Sequence, residues 1–199
     1  MRMGLGLGLT RGWGAPALDL NFLTGTMPSG LTFTRASTAT YIGSDGLLKT
    51  AAVDVPRFDY DPITLACKGL LIEGSRTNLL LRSAEFDNAS WTKTSSSTTA
   101  NSIAAPDGTL AADKIVEDTA TGGHYIVQNL NFTAGTRYAV SLFIKSSGRT
   151  SAQLILTASA FTTNVIGAFD LTNGVAAVAG SGAAAQIHNV GGGWYRCVL

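Results

Sequence analysis

The chain has 199 residues, enough for one large domain or two small ones, and 14% of them are charged, against about 25% in an average soluble domain. Its net charge is +1, and its lysines and arginines are scattered rather than gathered into the basic patch of a nucleic-acid-binding face. No apolar stretch approaches the roughly 20 residues that cross a membrane as a helix. The sequence therefore predicts a protein that binds no nucleic acid and has no membrane span.

Glycine and leucine alternate near the start of the chain, within residues 1–28. This pattern has little helix propensity and much backbone freedom, but alternate residues of an extended strand share one face. We predict an N-terminal arm, residues 1–28, that becomes ordered only on a partner, with Leu5, Leu7, Leu9 and Trp13 as its anchor. The alternative is a frayed terminus without a function.

Residues 29–84 are predicted to form a small β module of short strands and tight turns. A Gly-Ser-Asp-Gly turn at residues 43–46 separates two apolar pairs, which is the signal of a β-hairpin. The other predicted features are extended segments at residues 31–36, 57–61 and 70–73, a turn at 67–69 and one helical turn at 83–86.

Charged residues are concentrated in this module. Arginine pairs carboxylates in a bidentate manner, so we predict a structural ion-pair network that holds a poorly cored module together. Asp59 and Asp61 share a strand face, which leaves two alternatives open: acid–base catalysis by paired carboxylates, or calcium binding. The predicted network consists of Arg35, Arg57, Asp59, Asp61, Glu73 and Arg76.

Residues 85–199 carry a more regular alternation of apolar and polar side chains. It is cleanest at residues 138–145, where every second side chain is apolar. Strands about ten residues apart, with turn signals between them and no long amphipathic helix, are typical of an antiparallel β-sandwich or jelly roll. The predicted strands lie at residues 113–117, 124–132, 138–145, 153–158, 166–171, 186–190 and 194–198.

The sequence offers little for catalysis. His124 and His188 are its two histidines, and neither lies in a known motif. Cys67 and Cys197 do not have metal-ligand spacing, and we expect two buried free thiols rather than a disulfide. We therefore predict no enzyme activity, no catalytic residue, no cofactor and no metal site.

Four motifs in the middle of the chain resemble a module of bacteriophage and prophage tail-fibre, head-fibre and other receptor-facing virion proteins. They are FTRASTATY (residues 33–41), RFDYDP (57–62), GLLIE (69–73) and RTNLL (76–80). The resemblance implies a virion protein, assembled in the cytoplasm of a bacterial host, that attaches to other virion proteins through its arm and forms a homotrimer. Head, neck and tail remain open as its location.

The last part of the chain, residues 85–199, is similar to the jelly roll of carbohydrate-binding modules. The similarity lies in APDGT (105–109), ADKI (112–115), YAVSLFIK (138–145), FDL (169–171) and GGWYR (192–196). In that family the sheet continues beyond the last of these motifs, so we expect an incomplete jelly roll. Either the chain is a fragment of a longer protein, or the remaining strand comes from elsewhere, for example from another chain.

Glycan binding is the sharpest functional hypothesis for this part, because sugars stack on aromatic rings while polar side chains bind their hydroxyl groups. Strand alternation places Tyr125 on the opposite face from His124 and Gln128. The alternative is that the large aromatic side chains fill the core. The predicted ligand-binding residues are Trp91, His124, Gln128, Trp194 and Tyr195.

Together these features favour a structural and adhesive virion protein that attaches to a host-surface glycan. A non-catalytic carbohydrate-binding module of a secreted enzyme is the alternative, and a fragment of a polysaccharide depolymerase is a weaker one.

Overall fold

The structure is a computed structural model that describes residues 20–157 and 161–199. Within these ranges it contains one short 3₁₀ helix (Phe22–Thr24), no α-helix and fourteen strands, all paired antiparallel, which confirms the all-β class. The strands are β1 (Ala39–Ile42), β2 (Leu48–Ala51), β3 (Phe58–Tyr60), β4 (Cys67–Leu70), β5 (Thr92–Thr94), β6 (Ser96–Ala104), β7 (Leu110–Glu117), β8 (Tyr125–Val127), β9 (Ser141–Lys145), β10 (Ser151–Leu156), β11 (Val165–Asp170), β12 (Val175–Ala179), β13 (Gln186–Asn189) and β14 (Trp194–Val198).

The strands form several small sheets rather than a closed jelly roll. Two sheets have three strands, in the orders β10–β11–β12 and β13–β14–β9. The remaining strands pair in twos as β1–β2, β3–β4, β5–β8 and β6–β7. The chain is thus an all-β protein of many antiparallel strands in small sheets.

The core lies between the two three-stranded sheets. Phe169 and Leu171 come from the β11 side and Cys197 from β14, and these three buried side chains form one cluster. Ile144 of β9 and Ile187 of β13 pack against the same cluster. The cluster forms because alternate side chains of β11, the central strand of its sheet, all point to one buried face. The result is a small two-sheet sandwich.

Both cysteines are free thiols. Cys197 is fully buried in the core, and burial raises the pKa of its thiol to about 11. Cys67 is only half-buried, so the expectation of two buried thiols holds for Cys197 alone.

The predicted hairpin at residues 43–46 is confirmed. It joins β1 to β2, and the Gly43 N–H donates to the Leu47 carbonyl at 2.9 Å. The predicted turn at 67–69 is wrong, because these residues belong to β4 and pair with β3 across a bulge. Residues 31–36 form no strand, and residues 83–86 form turns instead of a helical turn.

The module of residues 29–84 has almost no apolar core. Ala51 is its one buried hydrophobic residue among those the structure describes, and Arg57 is its one buried charged residue. Isolated two-stranded sheets are marginally stable in water, so this module needs contacts beyond its own hairpins. One such contact joins the Leu48 N–H to the Pro106 carbonyl at 3.1 Å, in the loop between β6 and β7.

The 3₁₀ helix lies against the module, although the predicted boundary assigns it to the arm. The Cys67 thiol contacts the Phe22 carbonyl at 3.8 Å, and Gly25 ends the helix with a φ of 73°. A β-carbon on Gly25 would lie 2.4 Å from the Tyr60 hydroxyl, so a glycine is needed for this approach. No helix in the described residues is long and apolar enough to cross a membrane.

Candidate functional site

One concave surface is a groove of about 1060 Å³ on the outer face of the β10–β11–β12 sheet. Gln153, Ala168 and Ala177 lie side by side on its floor, because these three positions are in register across the sheet. Ile155 and Val175 add exposed apolar surface at the floor. Polar and aromatic residues that line the groove include Glu117, His124, Tyr125, Arg149, Asp170 and Asn173.

Tyr125 is the aromatic ring of this groove. It begins β8, where it pairs with Thr94 of β5, and the Ser96 hydroxyl donates to its carbonyl at 3.0 Å. The residue is 50% exposed although its backbone is held in a sheet. An exposed ring on a rigid element can stack against the apolar face of a sugar at little cost in conformational entropy.

His124 directly precedes Tyr125, and its hydrogen bond defines which ring nitrogen carries a proton. Its Nδ1 lies 2.6 Å from the Ser95 carbonyl and 3.6 Å from Asp118 Oδ1. A carbonyl oxygen can only accept a hydrogen bond, so Nδ1 carries the proton. In the neutral ring, Nε2 is then the nitrogen that can accept a hydrogen bond from a ligand hydroxyl.

Three charged side chains complete the walls. Arg149 donates from Nε to Glu117 Oε1 at 2.6 Å and contacts the same oxygen through Nη2. Asp170 accepts from Asn173 Nδ2 at 2.7 Å and from two backbone N–H groups of the following turn. These hydrogen bonds, led by the one from the Asn173 side chain, lower the pKa of Asp170, so its carboxylate is ionised at neutral pH.

Of the five predicted ligand-binding residues, His124 is the one that lines this groove. Trp91 is buried, donates from Nε1 to the Arg82 carbonyl at 2.9 Å and packs edge-on against Phe86. Gln128 binds the backbone of Leu81 with both its oxygen and its nitrogen, at 2.7 and 2.9 Å. Both side chains therefore hold loops in place.

Trp194 and Tyr195 lie in β14, and Tyr195 packs against the core cluster of the sandwich. Tyr125 and His124 both line the groove, although strand alternation predicts that they occupy opposite faces. Strand alternation does not apply to this pair, because β8 begins at Tyr125 and His124 precedes it. The adjacent glycines Gly122 and Gly123, directly before His124, are the sequence signal that could have indicated that the strand does not include His124.

The predicted ion-pair residues bind mainly to the backbone. Arg57 and Glu73 form an ion pair at 2.7 Å, while the Arg35 guanidinium donates to carbonyl groups between residues 37 and 55. Asp59 accepts a hydrogen bond from the Ile42 N–H. Asp61 accepts hydrogen bonds from backbone N–H groups of the turn after β3, and its carboxylate lies 3.6 Å from the Lys68 amine. Arg76 donates a hydrogen bond to the carbonyl of the adjacent Ser75. Of these six residues, only Arg57 and Glu73 pair with each other in the structure.

The predicted anchor residues Leu5, Leu7, Leu9 and Trp13 lie outside the described residues. Within the described ranges, no cluster of three or more His, Cys, Asp or Glu side chains is arranged to hold a metal ion. No model of a known protein family matches the chain, and no curated protein matches it.

Proposed function

We propose that this chain is a structural and adhesive protein of a bacteriophage virion. The residues before the 3₁₀ helix attach it to other virion proteins, the module of residues 29–84 serves as an adaptor, and the sandwich binds a glycan on the host surface. The ordered set of motifs at residues 33–41, 57–62, 69–73 and 76–80 supports the virion assignment. The module of residues 29–84 also favours a virion protein over the alternative, a carbohydrate-binding module of a secreted enzyme.

The groove carries the adhesive part of the proposal. It combines an exposed aromatic ring, Tyr125, with hydrogen-bonding groups on His124 and Asn173 in the walls and on Gln153 in the floor. Its volume of about 1060 Å³ is at the upper end of ordinary ligand sites, which suits an extended oligosaccharide. The β10–β11–β12 sheet, which carries the groove, and the β13–β14–β9 sheet are, in this proposal, part of a jelly roll.

The exposed surface of the chain supports assembly into an oligomer, which we propose to be a homotrimer. The accessible surface is 13789 Å², whereas a compact monomer of 20.6 kDa exposes about 8,900 Å². Of the surface above that of a compact monomer, at most about 3,300 Å² can belong to the 22 residues outside the described ranges. Large apolar side chains such as Ile72 and Leu81 contribute to the rest, and apolar surface of this kind marks interfaces.

Replacing Tyr125 tests the adhesive function. We expect Tyr125→Ala to weaken binding to bacterial surface polysaccharides about tenfold, because one stacking contact contributes on the order of 1–1.5 kcal/mol. Tyr125→Phe keeps the ring and should bind within about twofold of the parent. The measurement is binding of the full chain to an array of such polysaccharides, with circular dichroism as the check of folding. Equal binding by the alanine variant would remove the groove from the adhesive function.

A truncation tests the attachment. In the phage that encodes the chain, deleting residues 1–19 should abolish incorporation into particles, while the thermal unfolding of the purified chain stays unchanged. The deletion stops before Phe22, because the 3₁₀ helix contacts β4. Deleting residues 1–28 is the comparison, and it should also destabilise the adaptor. Normal incorporation after the shorter deletion contradicts the proposed anchor.

A further inference from the structure

We infer that Glu117 sets the charge selectivity of the groove: it neutralises Arg149, so that the groove binds uncharged glycans and discriminates against anionic ones. The inference deepens the proposed function and rests on it. Glu117 thereby acquires a role in ligand specificity, although its carboxylate side chain is not suited to stack on a sugar.

The geometry of the pair carries this inference. Arg149 has the one permanently cationic side chain among the described residues that line the groove, and that side chain is 75% exposed. Two of its nitrogens, Nε and Nη2, contact a single oxygen of Glu117. These are the donors that would otherwise bind a carboxylate, sulfate or phosphate group of an acidic polysaccharide.

The remaining charge in the groove is negative. Asp170 is ionised at neutral pH and has no arginine or lysine partner among the described residues, since its hydrogen bonds come from the turn at residues 172–173. Asp118 does not line the groove, but its carboxylate lies 3.6 Å from Nδ1 of His124, which does. An anionic chain in the groove would lie within a Debye length of about 8 Å from these groups, whereas a neutral chain experiences no net repulsion.

Both members of the pair are held by the fold independently of each other. Glu117 ends β7 and is paired with Ser96 of β6, so its position does not depend on the arginine. The loop that carries Arg149 is closed by a hydrogen bond of 2.9 Å from the Ser146 hydroxyl to the Arg149 carbonyl. Removing the charge of Glu117 should therefore free the guanidinium and leave it at the groove wall.

The test is Glu117→Gln in the full chain, measured on an array of bacterial surface polysaccharides with neutral and acidic members. We expect the parent to bind neutral members preferentially. The variant should bind acidic members about tenfold more tightly than the parent does, the effect of one charge-assisted hydrogen bond. The gain should shrink between 50 and about 300 mM salt, because it is electrostatic.

Two further variants make the result specific. Glu85→Gln releases Arg82, another exposed arginine whose ion pair does not line the groove, and should leave acidic binding unchanged. Adding Arg149→Gln to Glu117→Gln should abolish the gain. No change in acidic binding in Glu117→Gln, or preferential binding of acidic glycans by the parent, overturns this inference alone. A parent chain that binds no glycan overturns the proposed adhesive function as well.

Discussion

Replacing Phe169 by alanine is expected to destabilise the sandwich by about 3–5 kcal/mol. Phe169 is 1% exposed and lies at the centre of the cluster shared by the two three-stranded sheets. Its ring also lies within 3.0–3.2 Å of the position where a β-carbon on Gly167 would be placed, so the space around it is closely packed. The cavity left by the ring cannot close without moving both sheets.

Denaturation in guanidinium chloride, followed by tryptophan fluorescence, measures this change. Typical domains are stable by about 5–15 kcal/mol, so the loss is a large fraction of the total. Val175→Ala is the matched control, because Val175 lies on the outer face of the same sheet and is exposed. We expect the control to change the free energy of unfolding by less than about 0.5 kcal/mol. A loss below about 1 kcal/mol in Phe169→Ala would show that the core lies elsewhere.

Replacing Arg57 by alanine is expected to destabilise the module of residues 29–84 by about 3 kcal/mol. The residue is 4% exposed, and its Nη1 donates both to the Thr40 carbonyl at 2.9 Å and to Glu73 at 2.7 Å. It thereby ties β1 to the segments on either side of the β3–β4 pair, in a module with almost no apolar core. Losing it leaves the Thr40 carbonyl without this partner.

The carboxylate partner of Arg57 should matter nearly as much as Arg57 itself. The Glu73 side chain is 59% exposed, but Glu73→Ala leaves the buried Arg57 guanidinium without its ion-pair partner, so it should cost about 2–3 kcal/mol. Arg76→Ala is the control within the module, because Arg76 donates only to the adjacent Ser75 carbonyl, and it should be neutral. The measurement is hydrogen exchange of the β1 and β3 amides, because it reports local opening of the module of residues 29–84 separately from global unfolding. Equal protection in all three variants would contradict a central role for Arg57.

These two expectations concern different kinds of stability. The sandwich is held by apolar burial between its sheets, with Phe169 and Cys197 fully enclosed. The adaptor is held by an arginine and by hydrogen bonds from side chains to backbone carbonyls, as Arg35 shows. A module of the second kind gains from partners, which is consistent with the proposed assembly into an oligomer.

Local patterns were enough to predict the strands that carry large apolar side chains. β9, β11 and β14 lie close to their predicted positions, because each segment is rich in large apolar or aromatic side chains, a signal that lies within the segment itself. β6 and β12 were not predicted. They consist mainly of Ser, Thr and Ala, or of Ala and Val, and their strand conformation depends on pairing with β7 and β11.

By itself the sequence determined the all-β class and the hairpin at residues 43–46. The tertiary structure alone decided which side chains share a site. Glu117, Tyr125 and Arg149 come from three separate segments, and nothing in the local pattern of any one of them specifies the others. Trp91 and Gln128 are residue types that can bind sugars, yet in the folded chain their side chains form hydrogen bonds with the backbone of Arg82 and Leu81. Periodicity is a property of neighbours along the chain, whereas a groove depends on how distant segments pack.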